Sequence, residues 1–455
     1  MRTSSGRAIG SGSLVAATMA LTLLGIGAVP AHAESVRDQQ WHLDAMKADQ
    51  MWKVSKGEGV IVAVIDSGVD KSVADLQGQV LPGKDYSLLE GDEYRDIANH
   101  GTSMAALIAG TGARGAVEGS FGLAPKAKIL PIRVPYNEER WATKERVKET
   151  FSQSMATAIR FAADSDARIL NISAANPRTP GPELAEAVKY ALSKNKLIFA
   201  GVGNSATEGN EVEYPAATPG VVGVGGLNQK ADWWEKSQTG PQVDLAAPAV
   251  NITSACSGGT QLCDGDGTSN ATALASASAA LIWAKHPDWT NNQVLRVMLN
   301  TAGKPKNGKA RSDSIGYGAV RPRIALTNPG DPGPADVYPL PDLAAAEASS
   351  SPSPSASTSA NGSAAPAPSG ADGTRPPAAV SSEEGGNTAL WIALGVGAAV
   401  LVGGAVAVAV VRSRRRSAVP PVPPAAPGMP PYAPYGPPQN GPYQQSQNPQ
   451  PPYGS

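Results

Sequence analysis

The sequence predicts an α/β fold in which helices cover both faces of a mostly parallel sheet. Three observations carry that expectation. Apolar strand-like runs recur at 59–65, 127–134, 168–173, 196–202, 220–225 and 243–246. Segments of helical character alternate with or follow them, at 101–110, 143–163, 181–194, 270–285 and 290–301. Such alternation is the signature of strands laid side by side through helical crossovers. The first run is rich in β-branched residues and delivers Asp66 at its carboxyl end, where α/β sheets place their sites.

Before that run, residues 34–58 read as an extended lead-in holding Trp41 and Trp52, with one short helix over LDAMKADQMW. The 32 residues between Glu34 and Asp66 leave no room for a large folding prodomain, so the chain is expected to fold without one. Thr290, ahead of NNQV, is placed to cap a surface helix. The segment SIGYGAVRPRIAL, 314–326, is expected to close the domain.

Composition bounds the rest. With 38 basic and 39 acidic side chains in 455 residues, the charge balance points to no nucleic-acid or polyelectrolyte partner. Residues 1–33 combine Arg2 and Arg7, an apolar run and an Ala31-His32-Ala33 ending, the pattern of a cleaved secretory signal. Export makes pairing of the two cysteines, Cys256 and Cys263, the expectation. Zinc is not expected, because two thiols without a neighbouring histidine cannot complete four ligands. The folded domain is read as 34–328. Beyond it, 329–388 is a Pro/Ser/Ala-rich spacer that cannot bury a core. Residues 389–411 are 23 positions without a charge, enough to cross a hydrocarbon layer of about 30 Å at about 1.5 Å per residue. Arg412, Arg414, Arg415 and Arg416 follow, which places the C-terminus in the cytosol and gives a single-pass type I membrane protein. The tail to 455 is Pro-, Tyr- and Gln-rich.

The candidate chemistry centres on GTSNA, where Ser269 stands between a small-residue turn and the alanine-rich segment 270–285. Backbone N–H groups at such a helix start are unpaired and favour negative charge. A serine hydroxyl needs a base and an orienting acid to become a nucleophile. His32 lies in the signal, His42 near the mature N-terminus and His286 in a turn. His100, in NHGTSMAALIAG, is the remaining base, and Asp66 in IDSGVD the acid. Ser103, in the sequence GTSMA, competes with Ser269 for the nucleophile's role. It lies one helical turn from His100 on the same segment, so acid, base and nucleophile would lack independent supports. An N-cap or first-turn hydroxyl is the other reading of Ser103.

In the order Asp, His, Ser, the blocks IDSGVD, HGT and GTS resemble the signature blocks of the subtilisin-like serine proteases. The spacings are 34 residues from Asp66 to His100 and 169 from His100 to Ser269. GVGNSA puts Asn204 65 residues before Ser269, where the family has its oxyanion-hole asparagine. GLAPKAKILPIRV, ILNISAAN, YPAA and HPDWTNNQV extend the likeness over roughly 40–325. The resemblance implies a three-layer subtilisin-like fold and a substrate cleft lined by Ser173, Ala174, Ala175, Asn176, Ala200, Gly201, Val202 and Gly203. It implies an oxyanion hole made by the Asn204 amide and the Ser269 backbone N–H, with no cofactor or metal required. The chain departs from the pattern at Ala174, Ala175 and Asn176, where glycines are usual, at Ala273, where a proline is usual, and at Asn270, which replaces a more apolar residue. The whole architecture resembles the mycosins, membrane-anchored subtilases attached to type VII secretion systems. That implies polypeptide substrates and docking to a membrane complex. A general wall-associated subtilase and a catalytically weak, protease-shaped scaffold are the alternative readings.

Overall fold

The computed structural model describes residues 34–136, 144–176 and 180–350. They fall in the first of two units, Met1–Ala356, while the second, Ser357–Ser455, lies outside the described residues. So do the expected signal at 1–33, the span at 389–411 and the tail; among the described residues no helix is long and apolar enough to cross a membrane.

Seven strands form the main sheet: β1 Ile61–Asp66, β2 Lys84–Asp85, β3 Lys128–Arg133, β4 Ile169–Ile172, β5 Leu197–Gly201, β6 Val222–Leu227 and β7 Leu245–Pro248. Their order is β2-β3-β1-β4-β5-β6-β7, with every pairing parallel. The central strands are in register, Val62 lying between Ile129 and Ile169. Successive side chains point to opposite faces. Val62 and Val64 therefore enter one core with Leu197 and Phe199, whereas Ala63 and Ile65 enter a second with Leu170 and Ile198. Both faces are apolar because both are covered, which is why the sheet can be parallel throughout.

Five longer helices supply the covers: α1 His100–Ala109, α2 Lys144–Asp164, α3 Pro182–Ser193, α4 Thr268–Lys285 and α5 Asn291–Thr301. Helices α1, α4 and α5 close the first core, and α2 and α3 the second. In α3 the apolar positions Leu184, Ala187, Val188 and Ala191 follow the three- and four-residue spacing of one buried stripe. Helix α4 is different, being buried on all sides from Ala271 to Trp283. Its alanines and serines let it lie close beneath the sheet, and its buried hydroxyls are satisfied, Ser278 by the Leu274 carbonyl and Ser276 by Asn171 Oδ1.

Four features differ from the sequence expectation. The fold does not end at 328: Leu340 is buried in the first core, Arg296 donates to the Pro332 and Pro334 carbonyls, and Asp342 accepts the Gly220 N–H at 2.7 Å. A helix runs over Pro341–Ser350, so the first part of the expected 329–388 spacer is packed on the domain. The lead-in is not extended: it forms short helices at Val36–Gln39, Trp41–Met46 and Ala48–Met51, and the single helix expected over LDAMKADQMW is broken at Lys47, which has φ 63°. Tertiary contacts hold it in place, since Trp41 Nε1–H donates to the Asn251 carbonyl at 3.0 Å and Gln40 Nε2–H to that of Phe121 at 2.8 Å. The two-residue edge strand β2 is too short to leave a sequence signal. An antiparallel hairpin, β8 Ile252–Ala255 with β9 Leu262–Gly265, precedes α4, and a Cys256–Cys263 disulfide closes its loop.

Candidate active site

Chain order reverses across the sheet at β1, which has β3 on one side and β4 on the other. Connections leaving β1 and β4 diverge there and open a crevice at the strands' carboxyl ends. Asp66 ends β1 and is fully buried. Its Oδ1 accepts the Ser67 N–H at 2.7 Å and lies 2.8 Å from His100 Nδ1. An ionised carboxylate only accepts, so Nδ1 carries the hydrogen in this pair and Nε2 is left as the basic nitrogen.

His100 opens α1 directly after Asn99, whose φ of 61° turns the chain into the helix. The glycine that follows has a steric reason. A Cβ on Gly101 would sit 2.1 Å from the Gly68 carbonyl oxygen and 3.0 Å from Asp66 Cβ, so only glycine lets the helix start come this close to the acid's loop. Asp96 holds these two segments together. One of its oxygens accepts Ser67 Oγ–H at 2.8 Å, the other the Thr102 N–H at 2.8 Å and the Thr102 hydroxyl, while Ser67 Oγ accepts the Gly101 N–H at 3.0 Å. Burial pushes the Asp96 carboxyl above its usual range; the Thr102 and Ser67 hydrogen bonds oppose that rise and nearby Asp66 adds to it.

Ser269 is the second residue of α4, among first-turn N–H groups that have no intrahelical acceptor. Asn204 follows β5, and its Oδ1 accepts both the N–H of Thr268, at 2.9 Å, and its hydroxyl, at 3.0 Å. With the carbonyl side of the amide so occupied, Nδ2 is turned toward the serine. A Cβ built on Gly267 would lie 3.1 Å from Ser269 Oγ and 3.7 Å from Asn204 Nδ2, so both atoms border one small space.

That space opens into a cleft of about 170 Å³ lined by Ser173, Ala174, Ala175, Gly201, Gly203, Asn204, Thr268 and Ser269. Pro135, Tyr136, Phe151 and Glu213, which sequence reasoning missed, line it as well. Tyr136 joins the cleft to the base, its ring stacked on that of His100 with centroids 4.9 Å apart. Its position just beyond β3, at the same end of the sheet as Asp66, was the available signal. For Glu213 the signal was its place beside the YPAA block.

Three residues expected in the cleft lie elsewhere. Ala200 and Val202 are fully buried in the second core, because strand alternation turns them away from Gly201 and Gly203. Asn176 sits past the cleft's end in a backbone bridge with Tyr214. Ser103 falls in the first turn of α1, its N–H donating to the Asn99 carbonyl, and does not line the cleft. Of the unusual residues near the serine, Asn270 is explained by its amide. The Nδ2–H groups donate to the Ala249 carbonyl at 3.2 Å and the Gly265 carbonyl at 3.1 Å, tying the ends of β7 and β9 to the start of α4. Ala273 is simply buried in the first core.

Residues 57–318, more than half the chain, match the family model described as the subtilase family. The chain belongs to the subtilase family. Subtilisin E of Bacillus subtilis (strain 168) is 34% identical to this subtilase over 251 residues, which cover 54% of the chain and 61% of subtilisin E. The chain thus spans about three fifths of that relative's length. Among solved structures, MycP1 from Mycobacterium smegmatis superposes with a TM-score of 0.56 at 28% identity, over 66% of this chain and 87% of MycP1. A chain in the periplasmic assembly of the ESX-5 inner membrane complex gives a TM-score of 0.56 at 26% identity, over 69% of this subtilase and 91% of that chain.

Proposed function

We propose that this subtilase is a membrane-anchored, extracytoplasmic serine endopeptidase working beside a type VII secretion complex. One observation supports the chemistry above all. The Asp66–His100 pair, 2.8 Å apart, adjoins through Tyr136 the cleft that Ser269 and Asn204 line. In this reading His100 Nε2 takes the proton from Ser269 Oγ as Oγ attacks a peptide carbonyl, then passes it to the departing amine; water repeats the sequence on the acyl-enzyme. Asp66 fixes the tautomer and stabilises the transient imidazolium. Negative charge on the carbonyl oxygen is met by Asn204 Nδ2–H and the Ser269 N–H, both held before the reaction begins.

The setting rests on the likeness to MycP1 and to the ESX-5 assembly, together with the expected signal at 1–33 and the uncharged run at 389–411 followed by arginines. Polypeptides handled by such a complex are the proposed substrates. Purified protein should hydrolyse peptides, and Ser269→Ala should lower turnover by on the order of 10⁴–10⁶. Equal, residual hydrolysis by both proteins would favour the scaffold reading instead. For the setting, alkaline extraction of cell membranes should leave the full chain in the membrane pellet and release a chain ending at 388; release of both would remove the anchor.

A further inference from the structure

We infer that Glu213 makes the cleft selective for peptides whose residue at the attacked carbonyl, the P1 residue, is lysine or arginine. The inference rests on the protease reading above and names the substrate class of that same site.

Glu213 lines the cleft together with Ser269 and Asn204, while the other lining residues among those described are small, apolar, aromatic or hydroxylic, and none of these is basic. Its position is rigidly set. A Cβ on Gly203 would fall 2.6 Å from Glu213 Cδ, so the carboxyl lies against the residue that precedes Asn204. The next residue, Tyr214, exchanges two backbone hydrogen bonds with Asn176, at 3.0 and 2.9 Å, which pins this segment to the strand end forming the opposite wall.

The carboxyl's own partners are neutral. Gln238 Nε2–H donates to Oε1 at 2.9 Å and Ser205 Oγ–H to the same oxygen at 3.4 Å. Oε2 is left to accept from a ligand, and among the described residues Glu213 makes no ion pair. Burial pushes this carboxyl above its usual range, with Glu211 adding to the rise and the Ser205 and Gln238 hydrogen bonds opposing it. Such a group gains most from a ligand that brings a positive charge and N–H donors, because hydrogen bonds between ionised partners are the stronger ones. An acidic P1 side chain would set two carboxylates together. A large apolar one would bury Oε2 without a partner.

The test uses the full-length purified protein and peptides differing only at P1: Arg, Lys, Gln, Leu, Ala or Glu. We expect kcat/KM for Arg and Lys to exceed that for Leu and Gln by roughly 10–100-fold. Glu213→Gln, which keeps an oxygen for Gln238 and Ser205, should erase the preference, and Glu213→Lys should invert it toward Glu. A purely structural role would lower all substrates together and could not invert the order. An apolar-first or flat profile in the unmodified protein, or one unmoved by Glu213→Gln, would overturn the inference. Reaction of the unmodified protein with a fluorophosphonate separates the two claims. Labelling with a flat profile removes the charge selectivity alone; no labelling and no hydrolysis removes the protease reading with it.

Discussion

Asn204 offers a sharp separation of catalysis from structure, because its two side-chain atoms do different things. Oδ1 holds the Thr268 N–H and hydroxyl at 2.9 and 3.0 Å, and Nδ2 is the proposed oxyanion donor. Asn204→Ala loses both functions. It strands the N–H of Thr268, which is only 2% exposed, and should cost about 1–3 kcal/mol of stability. Asn204→Asp keeps an acceptor of the same shape for Thr268 and replaces the donor with an oxygen. Its fold should therefore hold near neutral pH, while the developing oxyanion loses one hydrogen bond and meets a like charge. Loss of one such donor costs about 10²–10³ in turnover, a figure known from subtilisin, and the added repulsion makes Asn204→Asp at least as severe. KM should move little, since the donor engages the transition state more than the bound peptide. Steady-state hydrolysis beside urea unfolding distinguishes the two contributions. Turnover by Asn204→Asp within about threefold of the unmodified protein, with the fold intact, would refute the assignment of Nδ2 as oxyanion donor.

Other perturbations test the surroundings of the site. Asp96→Ala leaves the fully buried Thr102 N–H without its acceptor and cuts the tie between the Asp66 loop and α1; kcat/KM should fall about 10–100-fold, with partial recovery in Asp96→Asn, and unchanged kinetics would dismiss the tie. His42 is buried with neither ring nitrogen hydrogen-bonded among the described residues, and burial, helped by Arg37 and opposed by Asp44, pulls its pKa down to about 3. The unfolded chain takes up that proton below about 6.5 and the folded one does not, so stability is full above pH 6.5 and falls as pH drops toward 3, by up to about 1.4 kcal/mol per unit. His42→Phe should flatten that slope between pH 6 and 4 in urea titrations; identical slopes would contradict it. Replacing Cys256 and Cys263 by serine should lower stability by roughly 2–3 kcal/mol, read as a shift in the unfolding midpoint under non-reducing conditions.

The parts of the fold that were legible in the sequence are those where local pattern and tertiary demand agree. Strands β1 and β3 to β7 are apolar because both sheet faces are covered, and α2 and α3 show their buried stripes. Helix α4 was visible through alanine content, although its burial on every side follows from its place under the sheet. The lead-in departs from its local pattern because its order comes from distant partners: Trp41 from the 250–251 backbone, Gln40 from Phe121. In the site, Asp66, His100, Asn204 and Ser269 each sit in a short block with a mechanical reason, as Gly101 demonstrates. The block groups Ala200 and Val202 with the cleft, but a strand alternates and only one face reaches it. Asp96, Tyr136 and Glu213 carry no such block. Each matters through what folding brings beside it, which a linear pattern does not record.

Ser269, activated by His100 and Asp66, is the proposed nucleophile. Mass mapping of a fluorophosphonate adduct on the intact protein, beside Ser269→Ala and Ser103→Ala, tests it most directly. The adduct should sit on Ser269, vanish in Ser269→Ala and persist in Ser103→Ala. An adduct on Ser103, or equal labelling with and without the Ser269 hydroxyl, would contradict it.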